Sequence, residues 1–163
     1  MNKKLLRNIV ICIGILIIFL GCILGIRYVT NKDDMIDVGI DFYFIETTTS
    51  VMKSEQREVK GENNNDIVVS VLKELKAGPK TEGLQGVIPD NVIFEKVNIN
   101  KNIVTVDISS DYYSLDSGDE LILRASIVKT LTGLDFVDYV RITVAGEDIK
   151  KANGQVIGIM GAD

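Results

Sequence analysis

Apolar and polar positions divide this chain into one long apolar run, a short polar stretch, and a series of helix-period and strand-period segments. Residues 9–26 (IVICIGILIIFLGCILGI) hold apolar side chains and glycine without a charge. About 18 residues at ~1.5 Å rise per residue make ~27 Å of helix, close to a bilayer's hydrocarbon thickness. Residues 30–37 (TNKDDMID) are polar and read as a tether, reaching at most about 28 Å when extended. Residues 40–45 (IDFYFI) are aromatic and branched and predict a first strand. Residues 47–54 read as a loop, 56–60 (QREVK) as a short second strand, and 61–65 (GENNN) as a polar loop.

A helix is predicted over 66–77, capped by Asn65 or Asp66. Val68, Val71, Leu72 and Leu75 fall at i, i+3, i+4 and i+7 and make one apolar stripe. Gly78 is placed to end that helix in the left-handed region, and Pro79 cannot continue it. Residues 80–91 form a connecting loop that contains Pro89. Strands follow at 92–99 and 103–109, joined by Asn100-Lys101-Asn102, with Val104, Val106 and Ile108 alternating onto one face. Ser117 to Glu120 has the S-x-x-E form of a capping box. It predicts a second helix over 119–132, with a stripe of Leu123, Ile127, Leu131 and Leu134 and a stop at Gly133. Val140, Ile142 and Val144 alternate in a last strand, and the tail from Asn153 adds a weak edge strand.

The order β-(β)-α-β-β-α-β is α+β. A mixed or antiparallel sheet with two helices on one face is its natural solution, preceded here by a transmembrane helix. The division is a cytoplasmic N-terminus (1–8), an anchor or signal segment (9–27), a linker (28–39) and an extracytoplasmic domain (40–163). Lys3, Lys4 and Arg7 before the apolar run hold the N-terminus in the cytoplasm. The run reads as an uncleaved, single-pass anchor. One alternative is a lipoprotein signal, with Cys22 as the lipidated residue. Gly21 fits such a box, but Phe19 stands where a leucine is expected. The other alternative is a cleaved signal, although no A-x-A-like site follows.

Charge and cysteine usage narrow the function. Four of the 18 basic residues and none of the 23 acidic ones fall in residues 1–27, leaving a net charge of −9 beyond them. An acidic external domain argues against nucleic acid as a partner. Both cysteines, Cys12 and Cys22, sit in the apolar run, so the external part holds together by its core.

With these elements in place, residues 41–160 resemble a GerMN domain, the module of GerM-type sporulation and spore germination proteins, in a single copy. The residues that carry the resemblance begin with Phe42, Tyr43 and Phe44, then Arg57, Glu58 and Val59. They continue through Leu72, Leu75, Gly78, Pro79, Ile88 and Pro89 to Val97, Ile99, Val104, Val106, Asp107 and Ser109. The resemblance implies an envelope protein of a spore-forming, Gram-positive type of bacterium, acting as a binding or assembly module and not as an enzyme. Some family members carry two tandem domains, and this chain has length for one.

There is no histidine, which removes His-based triads and His-ligated zinc. Ser126 and Lys129 have S-x-x-K spacing, but lack the partner motifs that such enzymes use. Asp107, Asp111, Asp116, Asp119 and Glu120 could offer oxygen ligands to calcium but lack EF-hand spacing; strand-end and helix-start roles suit them better. Catalytic residues, metal ligands and cofactors are therefore assigned to none. Gly78, Pro79, Pro89, Asp107 and Ser109 are structural motif residues. Of Tyr112 and Tyr113, one is expected in the core and the other at a partner contact. The expected function is a non-catalytic, membrane-anchored interaction module of sporulation or germination. Its expected partners are envelope or sporulation proteins, including copies of itself. The alternative is a peptidoglycan-binding module; a wall hydrolase has least support.

Overall fold

Strands β1 (Ile36–Glu46) and β2 (Met52–Gly61) form a long antiparallel hairpin, registered from Ile36 opposite Gly61 to Ile45 opposite Met52. The computed structural model describes residues 35–151 and 153–161. The expected segments 1–8 and 9–27, Cys22 and most of the linker lie outside them. Among the described residues, no helix is long and apolar enough to cross a membrane. Alternation puts Ile40, Phe42 and Phe44 of β1 and Arg57 and Val59 of β2 on the buried face. Both strands exceed their sequence-predicted lengths, 36–39 having been assigned to the linker and 52–54 to a loop. The β2 extension is largely polar and is carried by ladder pairing, whereas the β1 extension continues the alternation through Ile36 and Val38, which packs against the core. The Asp37–Lys60 ion pair at 2.7 Å closes the far end.

Helix α1 (Asn64–Lys76) buries Val68, Val71, Leu72 and Leu75, the expected stripe, together with Ile67. Its cap is Asn63 rather than Asn65 or Asp66: Asn63 Oδ1 accepts from Asp66 N at 3.1 Å. Three consecutive asparagines offer equivalent caps. Beside that cap the chain makes a close crossing, where a Cβ on Gly61 would lie 2.7 Å from Ile67 N.

The loop expected at 80–91 contains a two-residue strand, β3 (Leu84–Gln85), paired with the end of β1. Strands β4 (Phe94–Asn100) and β5 (Ile103–Ile108) make the second hairpin. Its turn places Lys101, not an asparagine, at φ 56°. After a short 3-10 helix, helix α2 (Ser117–Leu131) is capped by Asp116, one residue before the predicted Ser117. Asp116 Oδ1 accepts from Gly118 N at 2.8 Å and Asp119 N at 2.9 Å. The stripe of Leu123, Ile127, Leu131 and Leu134 is buried. Strand β6 (Tyr139–Val144) runs parallel to β5, and β7 (Glu147–Asp148) folds back on it. The tail contributes isolated bridges, Val140 to Met160 and Lys150 to Val156, in place of a strand.

The α+β class is as expected, but the strands form two sheets instead of one: β2-β1-β3, and β4-β5-β6-β7. Helix α1 packs on β2, β1 and β4, helix α2 packs on β1 and β6, and the helices touch each other. The physical reason for the split lies at Tyr43, in the middle of β1. Its N–H donates to Thr130 Oγ1 at 3.2 Å, and its carbonyl accepts from Ser126 Oγ at 2.6 Å. Side chains of α2 thus occupy the edge of β1 where a strand of the second sheet would have paired, and cover it as buried edges require.

Substituting Gly61→Ala forces a Cβ against the backbone of α1. It should cost roughly 1–3 kcal/mol in urea unfolding, whereas Gly39→Ala, which meets no atom within 4 Å, should cost less.

Candidate functional site: the bracket and groove at the end of the first helix

Arg57 is the charged residue that the alternation of β2 carries into the core, and it is buried. Its guanidinium carbon lies 5.0 Å from the ring centroid of Phe42 and 5.3 Å from that of Phe44. All three nitrogens are engaged. Nε donates to Glu55 Oε1 at 2.6 Å, Nη1 to the Glu74 carbonyl at 3.1 Å and to Glu74 Oε2 at 3.2 Å, and Nη2 to the Gly78 carbonyl at 2.7 Å. The last carbonyls of a helix have no partner within it and attract positive charge. Arg57 answers both needs at the end of α1.

Glu55 extends the bracket. Its carboxylate accepts from Lys80 N at 3.0 Å and Thr81 N at 2.8 Å, holding the chain just beyond Pro79. Burial works against its charge. The Arg57 guanidinium and the Thr81 and Lys80 N–H groups outweigh that and hold its pKa down at about 2. Glu74 is also held below its ordinary range, first by its bond to the Lys80 ammonium and further by Arg57. Sequence reasoning listed Arg57 only as a family-type residue and missed Glu55 and Glu74. The available signal was parity: Arg57 and Val59 share the inward face of β2.

The bracket opens onto a groove of about 650 Å³. Gly78, Pro79 and Pro89, separate features of the sequence, line it together with Ile45, Asp119 and Ile122. Gly78 has φ 86°, as its helix-ending role requires.

Asp107 and Ser109 lie away from this groove. Asp107 accepts from Thr143 Oγ1 at 2.6 Å and Gly146 N at 2.9 Å. It thereby fastens the Ala145-Gly146 turn, whose φ values of 49° and 82° are those of a mirror-image hairpin turn. Ser109 Oγ accepts from Ile93 N at 3.1 Å and donates to Asp111 Oδ2 at 3.2 Å, closing the base of the β4–β5 hairpin.

The two tyrosines part company. Tyr112 is fully buried and bonds Arg124 and Glu120, so it is not available as a contact residue. Burial pushes its hydroxyl pKa up, against the pull of Arg124. Tyr113 is 57% exposed and stacks edge-on against Tyr112. The S-x-x-K pair is also engaged: Ser126 is buried in its bond to Tyr43, and the Lys129 ammonium sits 5.3 Å from the Tyr43 ring centroid. Asp116 is occupied as a cap and Glu120 faces Tyr112 and Arg124. Among the described residues, no three His, Cys, Asp or Glu side chains converge to hold a metal.

With this geometry in view, comparison with known proteins is informative. A family model, Germane, described as "Sporulation and spore germination", matches residues 41–150, and the chain belongs to that family. Its structure is similar to the first GerMN domain of the sporulation protein GerM from Bacillus subtilis (TM-score 0.60, 20% identity, covering 76% of this chain and 95% of that one). It is also similar to the tandem GerMN domains of the same protein (0.55, 23%), covering 75% of this chain and 43% of that one. The present chain therefore spans less than half of the tandem structure. A third similar structure is a candidate lipoprotein from Clostridium perfringens (0.51, 19%, covering 77% and 87%). At these identities the likeness establishes a shared fold. No curated protein matches the chain.

Removing Arg57 leaves Glu55 and two helix-end carbonyls without their cation. Arg57→Ala should cost about 3–5 kcal/mol in denaturant unfolding. Arg57→Lys should recover little of it, since an ammonium cannot match the planar fork. The pH dependence follows from Glu55, whose folded pKa lies below its ordinary 4.5. Its contribution is complete above pH ~4.5 and is lost as pH falls through ~2. Glu55→Gln should lower stability at neutral pH and flatten the acid limb between those values, as read from unfolding midpoints across pH.

Proposed function

We propose that this protein is a non-catalytic interaction module of the cell envelope that serves sporulation or germination, held at the membrane by residues 9–27. The observation that carries this reading is the use made of the chain's polar side chains. Arg57, Glu55, Asp107, Ser109 and Ser126 are all bonded in ways that hold elements together. Among the surfaces presented to solvent are Tyr113, Leu121 and the groove at Gly78, Pro79 and Pro89. A tyrosine anchored by a neighbouring ring is well suited to a protein interface.

Membership of the sporulation and germination family supports the setting. The apolar run preceded by basic residues supports a membrane-held domain outside the cytoplasm. Lipidation at Cys22 is the alternative mode of attachment, and the similar Clostridium perfringens candidate lipoprotein lends it support.

Photo-crosslinking tests the reading. With a benzophenone amino acid in place of Tyr113, the native membrane-bound protein should trap an envelope protein in sporulating or germinating cells. The same label at exposed Lys53 should trap it less. Capture of cell wall alone, with pelleting on purified peptidoglycan, would replace this reading with wall binding.

A further inference from the structure

Among the described residues, three of the four sheet edges are covered in part by the protein's own side chains or tail, and the outer edge of β4 is not. The edge of β1 is bonded by Ser126 and Thr130, Lys60 of β2 by Ser70, and β6 by Met160 beyond the end of β7. Strand β4 pairs with β5 alone. Among the described residues, no other element bonds the backbone of residues 95–100. In an antiparallel pair, alternate residues turn N–H and C=O away from the partner strand, so β4 presents an unused ladder to solvent.

Beside that edge lies a groove of about 410 Å³ between β4 and α1. Val69, Leu72, Ile93, Phe94 and Val97 give it an apolar floor, with Val69 46% and Ile93 53% exposed. Lys73, Lys76 and Lys96 line it against one carboxylate, Glu95. Lys76 Nζ donates to the Asp90 and Val92 carbonyls, while Lys73 and Lys96 are exposed. A local excess of two positive charges stands out on a domain whose net charge is −9 beyond residue 27.

We infer that the β4 edge and its basic, apolar-floored groove take an extended segment of a partner protein as an added strand, one that alternates branched apolar residues with Asp or Glu. Alternate side chains of an added strand point to opposite faces. One set would fill the groove over Val69 and Phe94; the acidic set would lie on the opposite side of the added strand, where Lys96, at the rim of the groove, stands beside Asp107 and Arg141. Backbone bonds to β4 supply affinity, and the groove and lysines supply selectivity. A second copy is disfavoured as occupant. Pairing two β4 edges sets the Lys73 and Lys96 charges of one copy against those of the other.

This inference rests on the interaction-module reading and names the partner's chemistry. Its test is a titration of the full chain in detergent micelles with two fluorescein-labelled ten-residue peptides, one alternating Val with Glu and the other Val with Lys. The Val/Glu peptide should bind at least about tenfold more tightly, and amide signals of residues 94–100 should shift. The double variant Lys73→Glu, Lys96→Glu replaces exposed side chains and should fold; it should abolish the preference or reverse it. Equal binding of the two peptides, shifts confined to other surfaces, no binding up to millimolar peptide, or a concentration-dependent dimer that occupies β4 would each overturn the inference. If envelope crosslinks at Tyr113 persist while the peptide preference is absent, this surface is refuted and the interaction reading stands. If the preference and shifts appear without envelope crosslinks, the surface stands and that reading falls.

Discussion

A single buried guanidinium holds the parts of this domain in relation to one another. Arg57 reaches from β2 across Phe42 and Phe44 of β1 to the final carbonyls of α1, while Glu55 grips the chain after Pro79. A buried charge is expensive unless it is paired and fully bonded. Here the bonds run to Glu55 on its own strand, to Glu74 near the end of α1 and to Gly78 just beyond it, so the condition that makes the charge tolerable also fixes where the helix end sits against the hairpin. The hairpin, the helix end and the wall of the groove form one unit as a result.

The second organising device is the covering of strand edges. A free β1 edge would invite the strands of the two hairpins to merge into one sheet. Ser126 and Thr130 prevent this by taking both backbone groups of Tyr43. Helix α2 therefore serves as packing layer and as edge cover together. It also explains why a serine and a threonine sit fully buried on a helix that otherwise buries aliphatic residues. Against this background the bare edge of β4 is distinctive, because the same chain covers its other edges.

These two devices account for the residues whose chemistry first drew notice. Ser126 looked like half of a nucleophile pair, and Asp107 like a ligand or strand end. In the fold, Ser126 ties a helix to a strand, and Asp107 locks a hairpin turn by accepting from Thr143 and Gly146. Tyr112 and Tyr113 are adjacent in sequence and identical in chemistry, yet one is core and the other surface. The turn of the short 3-10 helix separates them.

By itself the sequence determined whatever depends on local period and local stereochemistry. The stripes of both helices, the Gly78-Pro79 stop, the β4–β5 hairpin and the alternation of Val140, Ile142 and Val144 follow from spacing of 3.6 or 2 and from restricted φ angles. The tertiary structure decided what depends on distant partners. The polar start of β2 carries no periodic signal, since ladder bonds to β1 hold it. Which polar neighbour caps each helix, Asn63 or Asp116, shows only in the fold, with the close crossing of Gly61 and Ile67 beside the first. The roles of Arg57, Glu55 and Ser126 appear only when residues 17 to 83 positions apart meet, as Arg57 meets Glu74 and Ser126 meets Tyr43. The division into two sheets rests on those same long-range bonds. A hydrogen bond between remote segments leaves no period in the chain, and so it becomes visible only in the fold.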